Sequence, residues 1–526
     1  MGFLGFCLEI VSLLNKGKIS SRHELNKWKA KLAEKHGLKE MPSNPQILCS
    51  GIPISDKARA LLCKKPVRSM SGITVVAVMV PPHKCPGECI YCPSSLVDSL
   101  TPKSYTGREP ATMRAIQANF KPSLQVRERL KQLEETGHTI SKAELIVMGG
   151  TFFSQTKKQR EKFVLETINA VTGKKSKSID MARQAAEKSK TRITGMTFET
   201  RPDFCSKNHV SEMLYYGGTR CELGVQTLDD AVYERIKRGH TVKDVVLATK
   251  NLKDAGFKVL YHAMPGLPST SPTADFASFK KMFSSEMFKP DMLKIYPCLV
   301  IKGTPLYNDF LEGKFKPMTE RQAVKLILRV KKIIPRWVRI MRVQRDIPVS
   351  LVEGGIKHSN LRQIVEREMK RKGLECNCIR CREAALKKYK EGISIKTENA
   401  KLFREDYRAS DGTEVFLSLE NPSRKALFGY CRLRIPDNSY RKEIGSDGAI
   451  VRELRVFGEP LVLGERKPEA LQHKGFGARL FSEAEKIASE EFDRKKLLVI
   501  AGLGVREYYR KKFGCKNDGF YVSKPI

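Results

Sequence analysis

Cys85, Cys89 and Cys92 stand at C-x3-C-x2-C spacing in the run Cys-Pro-Gly-Glu-Cys-Ile-Tyr-Cys. Three thiolates on one loop do not close a four-cornered site. A four-iron cluster takes four Cys ligands when fully coordinated; with three, one iron keeps an open position. Such an iron can clamp the amino and carboxylate groups of S-adenosylmethionine, and reductive cleavage then gives a 5′-deoxyadenosyl radical. Tyr91, just before the last Cys, suits that loop. The competing chemistry is a zinc site completed by a distant ligand such as His83.

A second cluster, Cys376, Cys378 and Cys381, has C-x-C-x2-C spacing among basic residues. Three thiolates plus an imidazole make a closed structural zinc site, and His358 is the nearest imidazole on the N-terminal side. Free thiols are the plainer alternative. Fourteen Cys in 526 residues are too few for a disulfide scaffold; tight clusters point to metal binding in a reducing compartment. Cys63, Cys221 and Cys431 are scattered and read as core residues.

Two glycine-bearing segments add binding chemistry. The apolar stretch Glu144–Met148 runs into Gly149-Gly150-Thr151-Phe152, where paired glycines let the backbone approach a ligand closely. Beside a cluster, those carbonyls would hold the amino group of S-adenosylmethionine. Glu199 and Arg201 follow the next strand; they either meet the charged ends of the same cofactor or form a structural salt bridge. Far downstream, Gln472-His473-Lys474-Gly475-Phe476-Gly477 opens a helix and follows the strand-like Glu453-Leu454-Arg455-Val456. That arrangement is the pyrophosphate loop of GNAT acetyltransferases, in which backbone N–H groups and the helix dipole bind coenzyme A phosphates. Tyr508 and Tyr509 stand where such folds place a tyrosine near the thioester sulfur.

Elements of two kinds must position these groups. Ile73–Val80 is β-branched and continuous, as a buried parallel strand should be. Glu144–Met148, Ile193–Phe198, Arg220–Val225, Lys258–His262 and Met292–Tyr296 follow with helical patterns between them, Arg127–Glu135 among these. Repeated βα units argue a parallel sheet or barrel, whose chemistry gathers at the C-terminal ends of the strands. From about Lys401 the pattern changes to an α+β domain: strands Glu414–Leu419, Leu427–Arg434, Ala449–Val456 and Leu497–Ala501, and helix Gly477–Ser489. The expected fold class is α/β, a radical S-adenosylmethionine partial (βα) barrel followed by an α+β GNAT domain. Expected boundaries are 1–72 for a basic N-terminal segment, 73–345 for the barrel, 346–400 for a connector and 401–526 for the last domain.

Net charge bounds the partners. Lys and Arg outnumber Asp and Glu by 96 to 58, a formal net charge of +38. Heat adaptation enriches Lys and Glu together and does not explain that surplus; a nucleic-acid partner does. Ser21–His36 reads as a capped basic helix with Trp28, Leu32 and Ala33 on one face and Lys27, Lys31 and Lys35 on another. The apolar start carries Glu9 and lacks a basic n-region, so no signal peptide is expected. No apolar stretch is long enough to span a bilayer, and a cytoplasmic location is expected.

A radical barrel joined to a GNAT domain is an uncommon pairing, and the chain resembles the catalytic subunit of Elongator, a family of tRNA-modifying acetyltransferases. The resemblance rests on Pro102 to Gly107, Val147 to Phe152, Glu199 to Asp203, Gly239-His240-Thr241, Lys294 to Pro297, Arg342 to Pro348 and the loop from Gln472 to Gly477. The cysteine spacing and the Cys376 cluster resemble an archaeal member that acts without further subunits. The resemblance implies [4Fe-4S], S-adenosylmethionine and acetyl-CoA, with zinc at the second cluster as an option. It implies conversion of the wobble uridine of tRNA to 5-carboxymethyluridine: the radical takes a hydrogen from the acetyl methyl, the carbon radical adds to C5, and hydrolysis of the thioester leaves a carboxylate. By position, Lys142, Glu453 to Val456, Phe476, Gly477, Ala478 and Tyr509 match acetyl-CoA contacts, and Lys258, Lys294 and Tyr296 match residues lining the active cleft. Many relatives have His at Arg455, so that side chain is given no proton-transfer role. The implied partners are the tRNA anticodon stem-loop, with an extruded base, and an electron donor. Phosphate contacts are expected from Lys27, Lys31 and Lys35, from Lys370-Arg371-Lys372, and from Arg342 and Arg345. The oligomeric state is open, a homodimer being one option. Rival readings are a protein lysine acetyltransferase with a structural iron–sulfur barrel and a non-catalytic tRNA-binding scaffold.

Overall fold

The structure, a computed structural model, describes residues 2–66, 72–93, 101–392, 397–457 and 475–526. Seven strands form the first sheet in the order β1-β2-β3-β4-β5-β6-β8: β1 (Thr74–Met79), β2 (Lys142–Met148), β3 (Arg192–Thr200), β4 (Arg220–Gln226), β5 (Lys258–Ala263), β6 (Met292–Ile295) and β8 (Arg339–Val343). Every neighbouring pair is parallel. Parallel neighbours require crossovers, which the intervening helices supply. The sheet curls without closing, because β1 and β8 are its two ends. Strand periodicity explains how one sheet serves both core and cavity. On β2, Ala143, Leu145 and Val147 are buried in the main core, whereas Glu144, Ile146 and Met148 line the lumen. On β4, Cys221, Leu223 and Val225 are core and Glu222, Gly224 and Gln226 are lumen. β7 (Val300–Ile301) and β9 (Val352–Gly354) pair as a small antiparallel ribbon outside the sheet.

The second sheet has the order β10-β11-β12-β13-β14-β16-β15: β10 (Lys401–Arg408), β11 (Gly412–Glu420), β12 (Leu427–Pro436), β13 (Gly448–Val456), β14 (Lys496–Val499), β15 (Lys516–Asp518) and β16 (Tyr521–Pro525). It is antiparallel except at β13–β14, whose parallel pairing stops at Val451↔Val499. β13 runs on to Val456 along β12 alone. The expected strands are therefore present. β7, β8, β9, β10, β15 and β16 are additional: β7, β9 and β15 are only two or three residues long, and β8 and β10 read Arg-Ile-Met-Arg-Val and Lys-Leu-Phe-Arg-Glu-Asp-Tyr-Arg, whose charges hide them. In β10 those charges suit an edge strand, where they discourage pairing with another chain.

The N-terminal helices Phe3–Asn15, Arg22–Lys35, Asn44–Leu48 and Asp56–Leu62 surround a small core of Phe6, Ile10, Leu14, Leu25, Leu32, Ile47 and Leu62. Ser21 caps the second helix in a reciprocal box with Glu24. Its expected lysine stripe is shortened: Lys35 pairs with Glu9 at 2.8 Å, and Lys31 lies over the Trp28 ring. No helix among the described residues is long and apolar enough to cross a membrane.

The two sheets share one core, since Ile444, Ile450, Leu498, Ile500, Leu503 and Tyr521 belong to the barrel's apolar cluster. Their contact is locked by charge. Asp291, just before β6, accepts from both guanidinium nitrogens of Arg452 on β13 at 2.8 and 2.6 Å and from the Val259 N–H at 2.8 Å. Arg452 also donates to Glu414 at 2.7 Å, and Arg434 bridges Glu414 at 2.9 Å and Asp254 at 2.5 Å. Burial alone would raise the Asp291 carboxyl; Arg452, Lys253 and Arg432 hold it far below the usual carboxylate range. Its stabilisation is therefore present above the unfolded pKa near 4 and lost only in strong acid. Replacing Asp291 by Asn leaves Arg452 buried and half-paired, so urea unfolding should show a loss of about 3–5 kcal/mol at neutral pH; an unchanged midpoint would contradict the role of this network.

Candidate functional site

The barrel lumen is a cavity of about 740 Å³ bounded at its C-terminal mouth by the cysteine loop. That loop is held from both sides. The Ile90 N–H donates to Ile236 O at 3.1 Å, and Ile90 O accepts from the Leu306 N–H at 2.9 Å. Ile90 and Tyr91 sink into an apolar cluster with Ile236, Met264 and Leu306. This anchoring leaves Cys85, Cys89 and Cys92 on the cavity wall. Each thiol has a neighbour: Thr151 Oγ1 lies 3.6 Å from Cys85, the Ser104 N–H 3.3 Å from Cys92, and Arg238 Nη1 3.3 Å from Cys89.

Among the described residues, the groups of three or more donors packed within 4.8 Å of one another are Cys376, Cys378 and Cys381, and Glu199, Glu222 and His262. The first loop's thiols are thus too far apart to share one ion, which needs Zn–S distances near 2.3 Å. Thiolates on separate corners of an iron–sulfur cube stand farther apart, and the loop suits that. His83 is not free to complete a zinc site: its Nδ1 faces Pro81 O at 3.0 Å and its Nε2 faces Thr151 O at 3.1 Å. Under the loop, Gly87 has no room for a side chain, because a Cβ there would collide with Arg201 Nη1. That buried nitrogen has no hydrogen-bond partner among the described residues. The donor set, the spacing and the uncommitted guanidinium fit a four-iron cluster with an anionic cosubstrate.

Beyond the loop, the C-terminal ends of the strands carry polar groups. Gly149 and Gly150 follow β2 with φ of 115° and 71°, the left-handed region that glycine tolerates, and Gly149 packs against Val80 too closely for a Cβ at 2.9 Å. Glu199 accepts from Tyr105 OH at 3.0 Å and from Lys294 Nζ at 3.2 Å. Lys294 also bonds Glu222, which His262 Nε2 meets at 2.9 Å. Tyr296 lies edge-on to His262 at 5.5 Å. The Lys294 ammonium thus sits where a metal would sit among Glu199, Glu222 and His262, and supplies the positive charge itself. Burial would raise the Glu222 carboxyl, but Lys294, His262 and Arg220 hold it well below its ordinary value. Glu199 and Arg201 do not pair with each other: Glu199 meets Lys294, and Arg201, which also lines the cavity, pairs with Asp203 at 2.9 Å.

Lys142 and Lys258 are elsewhere: they are the first residues of β2 and β5, at the opposite, N-terminal mouth. Burial lowers the Lys258 ammonium to about 8, against the pull of Glu453 and with a push from Arg220. Glu453 is on β13, so this mouth faces the second sheet. There β13 splays from β14 beyond Val451, and among the described residues the Arg452–Val456 edge has no strand partner on that side. Leu454 and Val456 pack toward the second core, while Arg455 lies over Phe457. Gly475 (φ 74°) starts the helix Phe476–Lys486, and among the described residues no side chain caps the N–H groups of its first turn, which includes Gly477 and Ala478. Tyr508 OH lies 3.4 Å from where a Gly477 Cβ would stand, and Tyr509 is buried against Phe481 and Phe513. Gln472 lies outside the described residues.

The second thiol cluster is tight, but His358 does not complete it. His358 is on the loop before helix Leu361–Arg371, its ring is exposed, and its Nε2 meets Glu320 at 3.4 Å. The thiols follow that helix, and their charged neighbour is Lys331, whose Nζ is 3.5 Å from Cys381. The phosphate candidates also shift: Arg342 is paired with Asp346 at 2.7 Å and Arg371 with Glu368 at 2.9 Å. Arg238, Glu222, His262 and Tyr105 were not singled out by sequence. Alternation along β4 and β5 marks Glu222 and His262 as lumen positions, whereas Arg238 and Tyr105 lie on loops and carry no periodic signal.

The site is that of a radical S-adenosylmethionine protein. Residues 79–276 match the Radical SAM superfamily, 290–371 its C-terminal domain and 3–70 the ELP3 N-terminal domain. The superfamily match implies S-adenosylmethionine and a four-iron cluster. The chain is 48% identical over 491 residues to the tRNA uridine(34) acetyltransferase of Methanocaldococcus infernus, covering 92% of both chains. It is 42% identical over 513 residues to human Elongator complex protein 3, covering 96% of this chain and 93% of the human one. A solved structure of the Methanocaldococcus infernus Elp3 lacking residues 1–46 superposes with a TM-score of 0.77 at 43% identity, covering 87% of this chain and all of that one. The chain belongs to the family of tRNA uridine(34) acetyltransferases and Elongator complex protein 3.

Gly87→Ala would displace Arg201 from beneath the cysteine loop. Iron bound after anaerobic reconstitution should fall well below that of the parent chain, with folding by circular dichroism unchanged; full loading would show that the close approach is not needed.

Proposed function

We propose that this chain is a tRNA-modifying acetyltransferase that converts the wobble uridine of tRNA to 5-carboxymethyluridine. The observation that carries this is the union, in one packed body, of an open three-thiol loop over a polar lumen and a splayed strand whose Glu453 stands beside Lys258 at the other mouth. Names of relatives 42–48% identical over nearly the whole chain support it. Cys85, Cys89 and Cys92 would hold the [4Fe-4S] cluster, which supplies the electron that cleaves S-adenosylmethionine. Gly149, Gly150 and Thr151 would receive the methionine end, with Glu199 and Arg201 at its charged groups. Acetyl-CoA would lie along Glu453, Leu454, Arg455 and Val456, its pyrophosphate on the loop from Gln472 through Gly475 to Phe476, Gly477 and Ala478, with Tyr508 and Tyr509 at its thioester end. Lys294 and Tyr296 would orient the uracil, and Lys142 and Lys258 the thioester or a phosphate. In balance, a methyl hydrogen would pass to the deoxyadenosyl carbon, a C–C bond would form at C5, the C5 proton would go to solvent and one electron back to the oxidised carrier that began the cycle, and water would split the thioester to free coenzyme A. A low-potential one-electron donor starts the cycle. Cys376, Cys378 and Cys381 would hold one metal ion, zinc being the option their spacing favours.

Support for a polyanionic partner comes from the seam between β1 and β8. Arg362 and Arg380 line it, Arg362 Nη1 has no hydrogen-bond partner among the described residues, and burial with like charge from Arg362 and Arg339 lowers Arg380 to about 10. Crowded guanidinium groups of this kind are relieved by phosphates.

Nucleoside mass spectrometry of tRNA incubated anaerobically with protein, dithionite, S-adenosylmethionine and acetyl-CoA should detect carboxymethyluridine. The Cys89→Ala variant should give none while still binding acetyl-CoA; unmodified uridine with the iron-loaded parent chain would reject the function. A pH test addresses Lys258. Its folded pKa of about 8 is below the unfolded value near 10.4, so the charge that would grip acetyl-CoA is present below 8 and lost above it. Calorimetric affinity for acetyl-CoA should weaken as the pH rises through that value, and Lys258→Met should flatten the profile. An identical profile in the variant would remove Lys258 from the acetyl-CoA site.

A further inference from the structure

Arg238 is a buried cation without a carboxylate. It is 8% exposed, and among the described residues no Asp or Glu oxygen lies within ion-pairing distance. Its neighbours differ in this. Arg201 has Asp203, Arg220 has Glu144 and Glu222, and Lys294 has Glu199 and Glu222. The Arg238 head is held by Gly224 O, which accepts from Nη2 at 2.7 Å, and its Nη1 reaches Cys89 Sγ at 3.3 Å. Gly224 makes that reach possible, since a Cβ there would stand 2.5 Å from Nη2. His240, beside it, adds no charge: burial with Arg238 and Arg201 lowers its imidazole to about 2. The uncompensated positive charge under the loop is therefore that of Arg238. A buried charge left unpaired is costly, and the anion in contact with this one is the middle thiolate of the loop.

We infer that Arg238 is a positioning residue that sets the reduction potential of the cluster by donating an N–H to the Cys89 thiolate. The inference rests on the assignment of Cys85, Cys89 and Cys92 as cluster ligands. Reduction adds one electron, taken from a low-potential donor, and so one unit of negative charge in a buried place. A fixed cation in hydrogen-bond contact with a ligand sulfur favours the reduced form and raises the potential. The same contact ties Cys89 to the Gly224 carbonyl on β4, so charge and geometry are delivered by one side chain.

The test is a dithionite titration of the reconstituted protein without S-adenosylmethionine or tRNA, followed by electron paramagnetic resonance, on the parent chain, Arg238→Gln and Arg238→Lys. With iron content matched, Arg238→Gln should shift the midpoint to more negative potential, and Arg238→Lys should restore part of the shift. An Arg238→Gln midpoint equal to that of the parent overturns the inference and leaves Arg238 a tether only. Should Arg238→Gln not assemble a cluster, assembly in Arg238→Lys supports charge compensation, whereas failure of both with native circular dichroism points to packing and overturns it. No cluster in the parent chain would instead reject the ligand assignment.

Discussion

The carboxylate of Asp291 fixes how the two halves of this protein meet. It stands at the entrance to β6 and accepts from both terminal guanidinium nitrogens of Arg452 on β13. Neither group reaches water, so neither tolerates loss of the other. A buried ion pair is weak evidence for stability, because apolar replacements of similar volume often do as well. What ions offer here is directionality. Arg452 and Arg434 satisfy Asp291, Glu414 and Asp254 together only when the N-terminal mouth of the barrel lies against the middle of the second sheet. An apolar contact could slide; this one has a single register.

That register decides which groups face each other. With Asp291 and Arg452 joined, Glu453 comes to the side of Lys258, and the splayed part of β13 lies at the barrel mouth opposite the cysteine loop. The lumen between the mouths is lined by Glu144, Arg220, Glu222, Glu199, Lys294 and His262. These charges are mutually paired, which lets a barrel interior stay polar without collapsing the sheet. The lumen is therefore suited to a polar cosubstrate and a base rather than to an apolar chain.

Much of the site was legible because its chemistry is local. The cysteine spacing, Gly149-Gly150 and the glycines at Gly475 and Gly477 each mark a backbone demand made within a few residues. The core strands were legible through their apolar runs. β8 and β10 were not, because Arg339, Arg342 and Arg404 break the apolar pattern while lying in the strands. The ionic lock was also illegible: Asp254, Asp291, Glu414, Arg434 and Arg452 are spread over about two hundred positions of sequence, and isolated charges in sequence read as solvent-facing. His358 was assigned by proximity in sequence, and failed because helix Leu361–Arg371 separates it from the thiols.

The chain's surplus of positive charge can be located by the same accounting of partners. Inside, most cations meet carboxylates. Lys294 has two carboxylates, Arg220 two, and Arg452 two, and Lys253 is pushed down to about 8 by burial and by the nearby arginines. Among the described residues few buried cations lack a carboxylate: Arg238 beneath the thiols, Lys29 on the Asn44 amide and Lys331 beside Cys381. Most of the formal +38 is therefore carried outside the interior. A structural role for the surplus would require matching surface carboxylates, which the composition does not contain. A surface of this sign repels itself and persists because something polyanionic offsets it. For a chain whose lumen opens sideways between β1 and β8 past Arg362 and Arg380, a nucleic-acid backbone meets that requirement, and its salt-sensitive grip would let an uncharged base be the part that enters.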